Sequence, residues 1–191
     1  MPTIDPHVYL DTCILIDYVH NRNKDSISLI TTIRSKKWRC TTSRWTALEM
    51  YDVEQEESFV EKYRLKGLML SHILRKLSDR RSKRLGLSER ELSVVHEKLH
   101  DTLLSFEGYV NFIRPNESIF TEAERFCTVT NIGANDALHL ATAKNERCNI
   151  LVTTDKSFCQ IADEYIVATL PQNFNKALDR LVSPPQRLTL L

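Results

Sequence analysis

The sequence predicts an α/β fold of three layers, α/β/α, with a mostly parallel central sheet and a helical hairpin inserted into it. Three observations carry that reading. Short apolar runs rich in β-branched and aromatic residues alternate with segments of helical period, the rhythm of parallel strands joined by helices. The runs at 7–11 (HVYLD) and 150–155 (ILVTTD) both lead to an acid, and the segment between 133 and 149 reads as an Ala-rich helix opening at Asp136. Between about 54 and 108 the rhythm is interrupted by long, charged, helical sequence.

The elements follow in order. Residues 7–11 read as a strand, Asp11 and Thr12 as a tight turn, and TCILIDYVH as a helix placing Ile14 and Tyr18 on one side. Asn21 and Asn23 end it, and SISLITTIRSKK is a second helix with Ile27, Ile30 and Ile33 inward. KWRCTTS reads as a strand reaching a turn near Ser43, which caps a third helix, RWTALEMYDVEQ. Within that helix Glu49 reads equally as a surface glutamate and as a buried functional acid. Trp45, Leu48 and Tyr51 imply burial around it, and Glu54, Glu56 and Glu57 read as the solvated acids of the helix.

Gly67 and Gly86 punctuate the inserted stretch. Its last helix, LSERELSVVHEKLHDTLLSF, opens on a capping box of Ser88 and Glu91 and lines Leu92, Val95, Leu99 and Leu103 along one face. After Gly108, YVNFIR is a strand ended by Pro115, and ESIFTEAERFCTVTNIG a helix with Ile119, Ala123 and Phe126 inward. Gly133 is expected to stop that helix and Asn135 to cap the next. An apolar strand ending on Asp155, a short helix SFCQIAD, a last strand EYIVATL and an amphipathic turn or two complete the domain. The expected organisation is one domain over 1–183, inserted at about 54–108, and a tail at 184–191.

Length and composition narrow the function. The chain has 191 residues, 42% hydrophobic and 27% charged, with a net charge of +1, enough for a sizeable core and too balanced for a global field toward nucleic acid or membrane. Asp11 and Asp17 interrupt the N-terminal apolar run, which argues against a signal peptide or a membrane span and for a cytoplasmic location. The five cysteines are scattered without a CxxC pair and read as small buried residues. The charge is polarised, however. Between Lys62 and Arg84 nine basic residues face the single acid Asp79, a net +8 that leaves the rest of the chain at −7. Such a run is either a solvated helix face or a rim for the backbone of an anionic polymer, with Arg75, Lys76, Arg80, Arg81, Lys83 and Arg84 as the candidate RNA-binding residues. The lack of aromatics between Asp79 and Phe106 disfavours a base-stacking platform.

The acids supply the chemistry. Parallel sheets bind ligands beyond the carboxyl ends of their strands, where Asp11 and Asp155 are expected to meet Asp136 and Glu49. Four carboxylates with no glycine-rich phosphate loop suit a hard divalent cation, Mg²⁺ or Mn²⁺. One or two such ions activate a water and stabilise the leaving oxygen of a phosphodiester. Thr12, Asn135, Thr153 and Thr154 are placed to orient water or ligands from behind, or equally to serve turns and caps. His139, one turn after Asp136 on a Leu- and Ala-rich helix, reads as a packed core residue rather than a ligand.

Asp11 in VYLDTCILIDYV, Glu49 in TALEMYDV, Asp136 in NDALHLATA and Asp155 in LVTTDKSF together resemble the acidic quartet of PIN-domain ribonucleases, in the same order. The resemblance covers 7–54 and about 109–170. It implies a parallel α/β/α fold, Mg²⁺- or Mn²⁺-dependent cleavage of single-stranded RNA, often a homodimer, and for many compact members a toxin role beside an antitoxin partner. The stretch at 54–108 is longer and more basic than compact toxins carry. The alternative is a non-catalytic module of the same fold that binds RNA or protein and uses the acids structurally.

Overall fold

A computed structural model describes residues 5–78 and 86–182 of the chain. They divide into two compact units, one of residues up to Thr46 and from Glu107 onward, the other Ala47–Phe106. The tail at 184–191 and Arg80, Arg81, Lys83 and Arg84 lie outside the described residues. No described helix is long and apolar enough to cross a membrane.

The first unit is built on five parallel strands, β1 (Val8–Leu10), β2 (Cys40–Ser43), β3 (Asn111–Ile113), β4 (Ile150–Val152) and β5 (Val167–Thr169), in the order β3-β2-β1-β4-β5. The sheet grows outward from β1 in both directions. The helices α1 (Thr12–Val19) and α2 (Lys24–Lys36) connect β1 to β2, while α6 (Glu117–Thr130) and α7 (Ala134–Asn145) carry the chain back from β3 to β4, and α8 (Lys156–Ala162) leads to β5. Right-handed crossovers running in opposite directions put these two sets on opposite faces.

Register shows how the faces fill. Tyr9, Leu151 and Ala168 stand side by side in the sheet and, by strand alternation, point to one face. They join Ile119, Ala123 and Phe126 of α6, Leu138 and Ala141 of α7, and Phe158 of α8 in one buried cluster. Both faces of β1 and β4 are buried, as expected of an all-parallel sheet. Under the other face α1 packs on α2, and α2 on the 3-10 turn Pro171–Asn173 that leads into α9 (Phe174–Val182). Trp38 and Phe174 meet there with ring centroids 5.9 Å apart.

Several local expectations change. In α2 the inward residues are Leu29, Ile30 and Ile33, with Ile27 half-buried. Asn131, not Gly133, stops α6, adopting the left-handed conformation at φ 57° that asparagine tolerates better than most side chains. Gly133 instead sits at the N-cap of α7 in an extended conformation, and Asn135 lies exposed within the first turn rather than capping it. Strand β4 ends at Val152, three residues before Asp155, which caps α8.

The second unit contains most of α3 (Trp45–Leu65), then α4 (Leu70–Ser78) and α5 (Glu89–Ser105). Met50, Phe59, Ile73, Val95, Leu99 and Phe106 are among its buried residues, with Leu92 and Leu103 half-buried. The expected capping box is formed: Ser88 Oγ accepts from the Glu91 amide and Glu91 Oε2 from the Ser88 amide. Lys62 Nζ donates to the same Oε2 and to the Gly86 carbonyl, both at 2.9 Å. Lys62 and the Ser88 donors together hold the Glu91 carboxyl down to about 2. Two readings of α3 are corrected here. Leu48 is 57% exposed, and Glu54, expected on the solvated face, is 2% exposed and ion-paired with Lys98. Glu54, Glu56 and Glu57 point in different directions around the helix, so they need not share one environment.

Candidate active site at the switch point of the sheet

Strand order reverses on either side of β1, so the crevice beyond the carboxyl ends of β1 and β4 is the place where an open α/β sheet accommodates a ligand. Asp11 stands at the end of β1 as the N-cap of α1 and is 8% exposed. Its Oδ1 accepts from the Thr12 amide at 2.7 Å. Oδ2 accepts from Thr153 Oγ1 at 2.6 Å and from the Cys13 thiol at 3.2 Å. Burial, followed by the Asp11 charge, pushes the Cys13 thiol up to about 12, so it remains a donor. Among the described residues no Lys or Arg pairs with Asp11. Buried carboxylates are paired with a base or bound to a cation as a rule, and here the partners are neutral donors.

Thr153 joins the two strand ends. Its hydroxyl donates to Asp11 and accepts from the Asp155 amide at 3.0 Å. Asp155 itself is exposed, and its Oδ1 caps α8 by accepting from Ser157 and Phe158 at 2.7 and 3.0 Å. The cap bonds use Oδ1 and leave Oδ2 out of them. Thr154 takes part through its backbone, donating its amide to Cys13 Sγ at 3.2 Å.

Behind Asp11 lies a buried chain of hydrogen bonds. Ser43 N donates to the Tyr9 hydroxyl at 3.1 Å, and that hydroxyl meets His139 Nδ1 at 2.8 Å. His139 Nε2 lies 3.3 Å from Thr12 Oγ1 and 3.7 Å from Asp11 Oδ1. Thr12 Oγ1 donates to Thr46 Oγ1 at 3.1 Å, Thr46 meets Thr42 at 2.8 Å, and Thr42 donates to the Leu10 carbonyl at 2.7 Å. Burial, then the Asp11 charge, raises the Tyr9 hydroxyl well above its ordinary value, so it keeps its proton.

Asp136 lies in the first turn of α7, half-buried, three residues before His139 and therefore on the same face of the helix. The structure thus links Asp11, Thr12, Thr153 and Asp155 by hydrogen bonds and sets Asp136 one turn from a residue touching Asp11. Asn135 is exposed and remote in role from the cap expected of it. Glu49 is half-buried in the second turn of α3, within the second unit. Arg75 and Lys76 are exposed on α4, where Lys76 Nζ stands 5.2 Å from the centre of the Tyr63 ring. Cys13, Tyr9, Thr42 and Thr46 carry no signal of a role in the sequence, because small hydroxyls and a thiol beside an acid are ordinary turn and core residues.

A buried carboxylate with no Lys or Arg partner among the described residues offers the oxygen ligands that a hard divalent cation takes. Asp11, Asp136 and Asp155 are this unit's candidates to hold one.

An all-parallel, doubly wound sheet with a buried acid at its switch point defines a class of α/β proteins that bind ligands at the carboxyl edge. The chain belongs to the PIN domain family, whose sequence model matches residues 8–164 and so spans all four acids. Among solved structures, VapBC2 from Rickettsia felis, crystallised with a DNA fragment from its promoter, is similar at 15% identity and a TM-score of 0.53, over 85% of this chain and 97% of that one. FitAcB from Neisseria gonorrhoeae is similar at 18% identity and a TM-score of 0.50, over 86% and 98%. At these identities the likeness is one of fold. No curated protein matches the sequence.

Proposed function

We propose that the protein is a metal-dependent endoribonuclease that hydrolyses phosphodiester bonds of single-stranded RNA, a cytoplasmic toxin whose protein partner is an antitoxin. The observation that carries the nuclease reading is Asp11: a buried carboxylate at the switch point of a PIN domain, oriented by Thr12, Cys13 and Thr153 and not neutralised by a basic side chain. Asp136 and Asp155 join it as metal-holding residues, and Glu49 joins them on the strength of the sequence pattern. One or two Mg²⁺ or Mn²⁺ ions, when bound, supply the activated water and stabilise the leaving oxygen. The chain's own contribution is orientation. Thr153 fixes Asp11 against the Asp155 backbone, and the α8 cap fixes Asp155 through one of its two oxygens. The toxin role, the antitoxin and a homodimeric state come from the family resemblance.

The test is cleavage of a single-stranded RNA by wild type and Asp136→Asn in Mg²⁺, Mn²⁺ or EDTA. EDTA is expected to abolish cleavage, and the substitution to slow it by at least about 10²-fold, as loss of one electrostatic stabiliser does. Cleavage indifferent to both would sink the proposal, and RNA binding without any turnover would return the protein to the non-catalytic module.

The basic stretch is proposed to hold the RNA backbone. Arg75→Ala with Lys76→Ala is expected to weaken RNA binding and to flatten the plot of log affinity against log salt by about 0.7 for each phosphate that is no longer neutralised. An unchanged slope in a filter-binding series from low to high salt would make α4 a solvated face.

A further inference from the structure

The hydrogen-bond chain behind Asp11 has a direction, and the direction assigns a proton. At one end the Leu10 carbonyl can only accept, so Thr42 donates to it, Thr46 donates to Thr42 and Thr12 donates to Thr46. With its own proton committed, Thr12 Oγ1 can only accept from His139, which places a hydrogen on Nε2. At the other end the Tyr9 oxygen accepts the Ser43 amide and meets His139 Nδ1 at 2.8 Å. The Thr12 end therefore puts a proton on Nε2, and that N–H faces Thr12 Oγ1 and, at 3.7 Å, Asp11 Oδ1.

We infer that His139 is a positioning residue of the site: held by Tyr9 at Nδ1 and carrying a proton on Nε2, it fixes Thr12 and the Asp11 carboxylate in the orientation that receives the cation. This rests on the proposed metal-dependent activity and adds to it a histidine that donates to the site rather than ligating the ion. His139 is 1% exposed, and a buried imidazole hydrogen-bonded at both nitrogens has no freedom to swing toward a ligand position. Partners that orient a metal-holding carboxylate typically contribute about 10- to 100-fold to metal affinity.

Two measurements on the full chain test it. Nitrogen-15 NMR of the histidine-labelled wild type distinguishes a protonated from an unprotonated ring nitrogen, and is expected to find the His139 proton on Nε2. Calorimetric titration with Mn²⁺ is expected to show affinity at least about 10-fold weaker in His139→Met, with the KM for RNA little changed and kcat reduced. His139→Gln, whose side-chain amide offers a donor where Nε2 stands, should recover most of the loss. A wild-type ring with no proton on Nε2, or His139→Met binding Mn²⁺ as the wild type does, would overturn the inference while leaving the nuclease reading intact. The tautomer measurement needs no variant, so it decides even if His139→Met fails to fold. A wild type that binds no Mn²⁺ and cleaves no RNA would instead overturn the activity itself.

Discussion

Asp11→Asn is expected to reduce RNA cleavage by at least about 10²-fold and to remove Mn²⁺ binding measured by calorimetry. The fold should survive. Asparagine is as good an N-cap as aspartate, and its Oδ1 can still accept the Thr12 amide that Asp11 Oδ1 accepts at 2.7 Å. The new Nδ2 would point at Thr153 Oγ1, now 2.6 Å from Oδ2, and that hydroxyl can rotate to accept. A buried charge without a Lys or Arg partner is meanwhile removed, which offsets the weaker hydrogen bonds. The unfolding midpoint should therefore stay within about 4 °C of wild type, the shift that ~1 kcal/mol produces in a chain of this size. Full cleavage by this variant would remove Asp11 from the site, whereas a collapse in thermal stability would make it a folding residue first.

The largest expected effect on stability lies away from the acids, at Phe126. Its ring is fully buried between α6 and its neighbours, edge-on to Tyr165 with centroids 4.9 Å apart, and is covered by the Arg125 and Lys144 cations at 4.7 and 5.1 Å. Phe126→Ala loses the transfer energy of the ring, leaves a cavity, strips Arg125 of its aromatic face and leaves Lys144 only the Tyr165 ring at 5.5 Å, at a cost of roughly 3–5 kcal/mol. Denaturant unfolding followed by circular dichroism should show the midpoint falling while its slope stays constant. A loss below about 1 kcal/mol would mean that α6 and Tyr165 close over the vacated space. Asp11 and its hydrogen-bonded partners lie in other elements, so whatever fraction of this variant remains folded should still bind Mn²⁺.

The strength of the sequence signals follows from what each depends on. The inward triad Ile119, Ala123 and Phe126 of α6 is legible because an amphipathic period survives wherever one helix face is covered. The capping box at Ser88 and Glu91 is legible because it is a purely local arrangement. The end of α6 is harder to place because a glycine and an asparagine compete for the left-handed position, and Asn131 occupies it two residues before Gly133. Glu54 reads as solvated but is buried, because a helix of 21 residues carries its acids around more than one face, and which acid is covered depends on what packs there.

At the site, sequence order is enough to nominate Asp11, Asp136 and Asp155, since acids following strands or opening helices are countable in one dimension. Their partners are not. Asp155 Oδ1 caps α8, and Thr153 joins Asp155 to Asp11 only because β1 and β4, some 140 positions apart, are hydrogen-bonded neighbours. His139 shows the same limit most clearly. On a Leu- and Ala-rich helix it reads as a core residue, and it is indeed buried. Only when α7 is laid on the sheet does the ring meet Tyr9 on one nitrogen and Thr12 and Asp11 on the other. Strand and helix periodicity and the positions of charges are local properties, so the α/β class and its candidate acids are already present in the order of the residues. The partners of those acids, and with them the direction of every proton in the chain behind Asp11, arise only on folding, because hydrogen bonds between distant elements exist only once the sheet order β3-β2-β1-β4-β5 is set.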